Sequence, residues 1–200
     1  MTIFYLVQHG EKDRSRFPGD PGLTEAGWWQ GVRTGAWLRT TGVVAVYSSP
    51  LRRAMQTAEL IASACGVNVR TDPRLRERMN WDGSLPWPEF LVEWDRTVTD
   101  RDYTPSSGDS SRQAGERLAD FLVEHQGCRG PVAMVVHGGV TVDLLRTLLG
   151  DAAVPAELLS GVPSCAITKL DGLEVTEIAS VTHLTSRPWS RPGPFQAHPE

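Results

Sequence analysis

The chain has 200 residues, of which 40% are hydrophobic and 22% charged, with 19 Gly and 14 Pro. This composition excludes a disordered, collagen-like or coiled-coil protein, and the length suits one domain. The formal net charge of −4 comes from 20 basic and 24 acidic residues. So small a charge argues against nucleic acid or an anionic membrane as a partner.

The N-terminal residues lack the features of an export signal. Met1 leads into the apolar run Ile3–Val7 without a basic segment, and that run is too short to span a membrane. We therefore expect a cytoplasmic protein. The cysteines, Cys65, Cys128 and Cys165, are odd in number and lack CxxC spacing. They predict neither a disulfide framework nor a zinc site, and we expect all three to be buried.

Short β-branched or aromatic runs alternate with segments of helical periodicity. The runs lie at 2–7, 43–47, 67–70, 132–136 and 165–170. This alternation predicts βαβ units around a mostly parallel sheet, the pattern of an α/β protein. No repeat or low-complexity linker divides the chain, so we expect a single domain over residues 1–200.

Capping residues and apolar spacing predict the main helices. Thr24 is the expected N-cap of the first helix. The second is predicted to start at about residue 50, with Ser49 as its N-cap and Pro50 as its first residue. Two more helices are predicted around 110–126 and 139–149, where apolar residues share one face.

Two segments lack regular periodicity. Residues 78–108 are predicted to form an insertion with a short helix near 87–97, and the Pro-rich tail 184–200 to be extended. The insertion contains four aromatic side chains, those of Trp81, Trp87, Trp94 and Tyr103. They form either a small satellite core, which the sequence favours, or an amphipathic lid that selects a bulky or aromatic ligand.

The residues that follow the predicted strands carry candidate chemistry. They are Gln8-His9-Gly10-Glu11 after the first strand, Ser48-Ser49-Pro50-Leu51-Arg52-Arg53 after the second, and His137-Gly138-Gly139 after the fourth. Ligands of parallel α/β sheets bind beyond the carboxyl ends of the strands. Two histidines, two arginines and a helix N-terminus are thus expected at one edge, which predicts a site for phosphate or another oxyanion.

Five segments in chain order carry short motifs: residues 6–11, 22–27, 49–58, 75–77 and 135–139. In that order they resemble the motifs L-V-R-H-G-E, P-L-T-x-x-G, S-x-L-x-R-A-x-Q-T-A, L-x-E and V-x-H-G-G of the histidine phosphatase superfamily, in the branch that includes cofactor-dependent phosphoglycerate mutases and fructose-2,6-bisphosphatase. The resemblance implies a three-layer α/β/α fold, similar to phosphoglycerate mutase, with a mostly parallel central sheet. It also implies a phosphomonoesterase of the histidine acid phosphatase type.

The resemblance further implies a role for each matching residue. His9 is expected to be the nucleophile that forms a phosphohistidine, and Arg53 and His137 to bind the phosphoryl group. Glu77 is expected to protonate the leaving alcohol and then to activate water. No metal or other cofactor is expected. The expected substrate-binding residues are Gln8, Gly10, Arg14, Arg16 and Gly138.

The chain departs from the family pattern at Gln8, where the family has an arginine. A neutral hydrogen bond is weaker than a charge-assisted one, which implies a loss of roughly tenfold in phosphate recognition. Lys12, Arg14 or Arg16, in the loop that follows, is a candidate source of the missing charge. The acidic segment is compact, which leaves Asp82 as a rival for the acid role.

The resemblance predicts a phosphatase that acts on a small phosphorylated metabolite. Gln8 keeps open a weak or inactive relative that binds a phosphorylated ligand or partner. A phosphoglycerate-type mutase is less favoured, because those relatives tend to be longer in the region that covers the substrate. The oligomeric state stays open between monomer and homodimer. His183 resembles a late family position near the pocket.

Overall fold

A six-stranded mixed sheet forms the centre of the computed structural model, which describes residues 1–185. Its strands are β1 (Ile3–Gln8), β2 (Ala45–Ser48), β3 (Val69–Thr71), β4 (Val132–Val136), β5 (Ile167–Asp171) and β6 (Glu174–Ser180). Their spatial order is β3-β2-β4-β1-β5-β6. The first four are mutually parallel, whereas β5 is antiparallel to both β1 and β6. The predicted α/β fold with a mostly parallel sheet is confirmed.

Helices cover both faces of the sheet. They are α1 (Glu25–Arg39), α2 (Arg52–Cys65), α3 (Trp87–Thr99), α4 (Ser111–Glu124), α5 (Gly138–Leu149) and the short α6 (Ala156–Leu159) and α7 (Thr182–Thr185). Helices α1 and α2 pack on one face and α4 and α5 on the other. Helix α3 lies where the sequence predicts a short helix. The part of the predicted tail beyond Thr185 lies outside the described residues.

Strand β1 shows why its sequence is a continuous apolar run. Successive side chains of a strand point to opposite faces of the sheet. Phe4 and Leu6 belong to the core under α4 and α5, whereas Tyr5 and Val7 belong to the core under α1 and α2. A strand that is buried on both faces therefore needs apolar residues at every position.

Two helix starts test the predicted caps. The Thr24 side chain accepts a hydrogen bond from the Gly27 amide, which confirms it as the N-cap of α1. The predicted start of α2 at residue 50 is wrong, since the helix begins at Arg52 and its N-cap, Leu51, has no side-chain cap. The Ser49 hydroxyl accepts a hydrogen bond from the Leu51 amide at 3.3 Å and also bonds to the imidazole of His137 at 2.7 Å.

Other sequence expectations also need correction. Strand β6 was not predicted, because its side chains are only partly buried or exposed and form no apolar run. Cys165 is buried as expected, but Cys65 and Cys128 are half-buried, and all three thiols are free. Among the helices of residues 1–185, none is long and apolar enough to cross a membrane.

The packing of α4 leads to a stability prediction. Leu118 is fully buried among the strands and α5, whereas Val123 on the same helix is mostly exposed. Leu118→Ala should lower the free energy of unfolding by about 3 kcal/mol, since it removes buried methyl groups and leaves a cavity. Val123→Ala should change it by less than about 0.5 kcal/mol. Urea denaturation measures both, and equal losses would contradict this account of the core.

Candidate active site

The order of the strands brings the two motif histidines together. Strands β1 and β4 are parallel neighbours, with Gln8 opposite Val136. His9 and His137 each follow the last residue of their strand, and their ring centroids lie 5.1 Å apart. Strand β2 is the other neighbour of β4, so Arg53, in the first turn of the following helix, reaches the same edge.

Two hydrogen bonds fix the protonation of the buried His9 imidazole. Its Nδ1 lies 2.7 Å from the Gly10 carbonyl oxygen, which can only accept, so Nδ1 carries the hydrogen. Its Nε2 accepts a hydrogen bond from Nε of Arg53 at 3.2 Å. Burial, reinforced by the Arg53 charge, lowers the pKa of His9 to about 3. The imidazole is therefore neutral at physiological pH, with its Nε2 lone pair towards Arg53.

Arg53 is 3% exposed and is held on several sides. Besides its bond to His9, one terminal nitrogen donates to the Asn80 side-chain oxygen at 3.1 Å. The other terminal nitrogen lies 3.7 Å from the Asp20 carboxylate. That second nitrogen makes no hydrogen bond to any described residue. The guanidinium thus combines a fixed position with an unused donor, which suits it to binding an oxyanion.

His137 is fully buried behind the reacting edge. Its Nε2 lies 2.7 Å from the Ser49 hydroxyl, while its Nδ1 has no partner in the described part of the chain. Burial lowers its pKa well below the usual range, and the Arg53 charge adds to that effect. His137 contacts the site from behind and does not itself line the cavity.

Glu77 is oriented by the N-terminus of α5. Its carboxylate accepts hydrogen bonds from the amides of Gly139 at 3.0 Å and Val140 at 2.9 Å, and from its own neighbour Arg78 at 2.8 Å. Free amides at a helix N-terminus favour such a carboxylate. A Cβ on residue 139 would lie 2.5 Å from a Glu77 oxygen, so this approach requires glycine there.

A cavity of about 360 Å³ opens in front of these groups. Its polar and charged lining includes Gln8, His9, Glu11, Lys12, Arg14, Arg53, Glu77, Arg78, Asn80 and Arg146. Its aromatic lining consists of Phe17, Trp81, Trp87, Phe90 and Trp94, which we call the aromatic wall. Gly138 also lines the cavity, whereas Tyr103 does not and instead contacts Glu93.

Of the three basic residues in the loop after β1, two line the cavity. Lys12 and Arg14 line the cavity, and the Lys12 ammonium lies 4.9 Å from the centroid of the Phe17 ring. Burial, together with the charge of Arg53, lowers the pKa of Lys12 to about 8. The expectation that Arg16 binds substrate is wrong for this structure. Its side chain is 69% exposed and pairs with Asp13 at 3.3 Å, outside the cavity lining.

Gln8 brings no charge to the space it occupies. Its side-chain nitrogen lies 3.5 Å from Nε2 of His9. Its side-chain oxygen is buried and has no partner among residues 1–185. A buried polar atom without a partner is unfavourable, so this amide adds polarity beside His9 at some cost in stability.

Three further candidates lie outside the cavity lining. Asp82 is exposed and accepts the Ser84 amide, so it is no rival for the acid role. His183 packs under α1, with Nε2 3.0 Å from the Thr34 hydroxyl. Gly10 donates its amide to Thr57 and packs against Gly27, where a Cβ would lie 2.5 Å from the Gly27 oxygen. Its glycine therefore serves close packing below His9, not direct lining.

Sequence reasoning did not identify a buried ion pair beneath the site. Arg78 and Asp143 are both buried and lie 2.6 Å apart, and the Ser111 hydroxyl donates to the same Asp143 oxygen. Burial raises the pKa of Asp143 to about 7, against the opposing effect of Arg78. The sequence feature that could have indicated this pair is Asp143, an acidic residue inside the apolar pattern of α5. No comparable sequence feature indicates the contacts of Ser49 and Asn80.

Within residues 1–185, no group of three His, Cys, Asp or Glu side chains is placed to hold a metal ion. The cations whose charges act on the His9 imidazole are Arg53 and Lys12. Positive charge thus reaches the reacting edge through side chains of the protein.

Comparisons with known proteins show the family of this chain. A family model described as the histidine phosphatase superfamily (branch 1) matches residues 4–178. The chain is 33% identical over 195 residues to a probable phosphoglycerate mutase GpmB of Enterobacter sp. (strain 638). It is 34% identical to the protein of that name in Salmonella arizonae. Both alignments cover 90% of this chain and 89% of the relative.

Solved structures share the fold. The mycobacterial glucosyl-3-phosphoglycerate phosphatase in complex with inorganic phosphate is 25% identical, with a TM-score of 0.71 over 92% of this chain and 99% of that one. The phosphoserine phosphatase of Entamoeba histolytica, at 22% identity and a TM-score of 0.72, covers 92% and 100% and shares the fold alone. On the family model and the curated relatives together, the chain belongs to the histidine phosphatase superfamily.

Proposed function

We propose that the protein is a metal-independent phosphomonoester hydrolase that acts through a phosphohistidine at His9. The observation that carries this proposal is the neutral imidazole, whose Nε2 lone pair borders the cavity beside the Arg53 guanidinium. A neutral imidazole can attack phosphorus at any pH above its own pKa. A similar solved structure is that of a phosphatase with inorganic phosphate bound.

In the first step, Nε2 of His9 forms a bond to phosphorus as the ester P–O bond breaks. Glu77, a carboxylate in the free site, takes the proton of the bound monoanionic ester and passes it to the departing alkoxide, so the alcohol leaves neutral. The Nδ1 hydrogen bond to the Gly10 carbonyl supports the positive charge that develops on the ring. Arg53 and Lys12 offset the negative charge on the phosphoryl oxygens.

In the second step, water attacks the phosphorus of phospho-His9. The Glu77 carboxylate, now without its proton, takes one from that water. The N–P bond breaks and its electron pair returns to Nε2, which restores neutral His9. Inorganic phosphate takes the proton from Glu77 as it leaves, which restores the carboxylate. Each residue ends the cycle in the state in which it began.

The substrate in this proposal is a small phosphorylated metabolite, and Lys12 supplies the charge that Gln8 lacks. Lys12 lines the cavity, and no carboxylate of the described residues lies within ion-pair distance of its ammonium. A half-buried ammonium without an ion-pair partner is stabilised when an anion shares its site. We infer that this anion is the phosphoryl group of the substrate.

Two alternatives rest on specific observations. A mutase is favoured by the curated relatives named probable phosphoglycerate mutase, and a binding protein without turnover is favoured by Gln8. Incubation with 3-phosphoglycerate separates them, since a mutase yields the isomeric ester and a hydrolase yields free phosphate. If the parent protein is inactive and Gln8→Arg is active, the parent binds simple phosphate esters without turning them over.

The His9 nucleophile gives the first functional prediction. His9→Ala should lower phosphate release from 4-nitrophenyl phosphate by at least about a thousandfold, because no other side chain can take over the phosphoryl group. Phosphate release by the parent protein, measured with a metal chelator present, should persist from pH 8 down to pH 5. The pKa of His9 is about 3, so its nucleophilic form is retained throughout that range.

Trapping the intermediate completes this test. Acid-labile radioactive phosphate should remain on the parent after a rapid quench and be absent from His9→Ala. His125→Gln is the matched control, since that imidazole stacks on Phe121, away from the cavity. Turnover by His9→Ala at the parental rate would contradict the proposal.

The acid role of Glu77 predicts a dependence on the leaving group. Glu77→Gln should slow hydrolysis of ethyl phosphate by about a hundredfold or more, because ethoxide needs a proton to leave. Hydrolysis of 4-nitrophenyl phosphate should fall much less, since nitrophenolate leaves unprotonated. Asp82→Asn, the control, should leave both rates unchanged. Equal losses for the two esters in Glu77→Gln would refute acid catalysis by this residue.

The role of Lys12 predicts a pH-dependent affinity for inorganic phosphate. Lys12→Met should raise the Kd for inorganic phosphate about tenfold at pH 6.5, since a charge-assisted contact is lost. Arg53, Arg14 and Glu77 surround this ammonium, and its pKa of about 8 means that the charge is lost as pH rises above 8. Parental affinity should therefore fall between pH 7 and 9 more steeply than that of Lys12→Arg.

Isothermal titration calorimetry measures these affinities. Arg16→Ala is the matched control, because that guanidinium is paired with Asp13 and lies outside the cavity lining. Comparing the parent with Lys12→Arg at each pH cancels the titration of phosphate itself. If Lys12→Met binds inorganic phosphate as tightly as the parent protein does, Lys12 is not the charge that compensates for Gln8.

A further inference from the structure

The aromatic wall is a continuous chain of rings along the cavity. Trp81 and Trp87 have centroids 4.8 Å apart, Trp87 and Phe90 5.6 Å, and Phe90 and Trp94 6.3 Å. Phe17 joins the chain at 5.8 Å from Trp81. Residues 87, 90 and 94 have the three- and four-residue spacing of one helix face, so α3 presents its rings together.

The wall is too exposed to be only a satellite core. Trp87 is 44% exposed and Leu91, which also lines the cavity, is 39% exposed, whereas Phe90 is buried. Leaving large apolar surface in water is unfavourable, and a patch of it inside a cavity is typical of a ligand site. The rings pack on one another from behind and leave their remaining surface to the cavity.

The aromatic wall also lies next to Glu77, the proposed proton donor to the leaving alcohol. A Cβ built on Gly139 would lie 2.5 Å from an oxygen of Glu77 and 2.9 Å from the ring of Trp94. The two side chains are therefore neighbours across the N-terminus of α5. An alcohol that takes its proton from Glu77 must have its first carbons beside Trp94.

The arginines near the wall are already neutralised. The Arg78 guanidinium stacks on Trp94 at 4.4 Å and is paired with Asp143 at 2.6 Å. Arg146, also in the cavity lining, is paired with Asp151 at 3.0 Å. Each of these two guanidiniums has a carboxylate partner, whereas Lys12 and Arg14, which also line the cavity, belong to the loop after β1. Beside Trp94 the lining is therefore aromatic, and the neighbouring charges are paired.

We propose that the alcohol part of the substrate is an aromatic or bulky apolar group that stacks on the aromatic wall. The inference rests on the phosphatase function proposed above and specifies its substrate class. The phosphoryl group lies at His9 and Arg53, and the apolar group extends past Trp94 towards Trp87. A cavity of about 360 Å³ has room for a group of this kind.

A pair of esters with similar leaving groups tests the proposal. Both 2-phenylethyl phosphate and ethyl phosphate release a primary alcohol, so the intrinsic difficulty of breaking the bond is similar. The parent should favour the phenylethyl ester in kcat/KM by at least about tenfold, because only that ester buries an aromatic ring against the wall. 3-Phosphoglycerate, which carries a second anion, should be a poorer substrate than the phenylethyl ester.

Variants of the wall assign the preference to its residues. Trp87→Ala and Trp94→Leu should each reduce the ratio of the two kcat/KM values several-fold, mainly by slowing the phenylethyl ester. Trp28→Ala is the matched control, since Trp28 is equally exposed but lies on α1 outside this cavity. It should leave the ratio unchanged.

The outcomes separate this inference from the phosphatase proposal. A ratio near one in a parent whose turnover depends on His9 would overturn the role of the wall and leave the phosphatase intact. An unchanged ratio in both wall variants would do the same. If no ester is hydrolysed, the phosphatase proposal fails. The affinities of the two esters, measured by calorimetry, then show whether the aromatic wall binds the apolar group. Equal affinities would refute it, and tighter binding of the phenylethyl ester that Trp87→Ala abolishes would support it.

Discussion

The contact between Arg53 and His9 is the interaction on which the rest of the site depends. A buried guanidinium is costly unless it is paired, and here it donates to the imidazole and to Asn80. That donation holds the Nε2 lone pair in place and excludes a proton from it. The geometry exists because β2, β4 and β1 are adjacent and parallel, so a side chain in the first turn of α2 meets one that follows β1.

The charge balance of the site follows from this contact. Burial and the Arg53 charge keep both histidines neutral, so the positive charge is carried by Arg53 and Lys12. The Glu77 carboxylate is held at the N-terminus of α5 and lines the same cavity as these cations. Gln8 lowers the total charge by one compared with an arginine. In the proposed function, affinity for a dianion then depends on Lys12, whose charge is lost at moderately alkaline pH, whereas an arginine would keep its charge.

Local sequence patterns predicted the parts of the structure that depend on short segments. Apolar runs buried on both faces indicated the central strands, and the order of motifs brought His9, Arg53 and Glu77 to one region. Contacts between distant segments were not predictable. Ser49 has the residue type of a helix cap, and only the packing of β4 beside β2 turns it towards His137. The loop after β1 likewise carries three cations, and its path alone decides that Arg16 points away.

The cavity is built from two parts with different mechanical support. His9 and Arg53, the proposed phosphate-binding groups, follow central strands, so the whole sheet fixes their positions. The wall depends on α3, of which only Phe90 and Thr97 are buried. Substitutions on α3 therefore disturb little of the core, while they reshape the surface that the alcohol meets. Rigid strand ends suit the step that all phosphate esters share, because reacting atoms tolerate little displacement. A lightly anchored helix suits the choice among alcohols, because apolar contact is less directional than hydrogen bonding to phosphate.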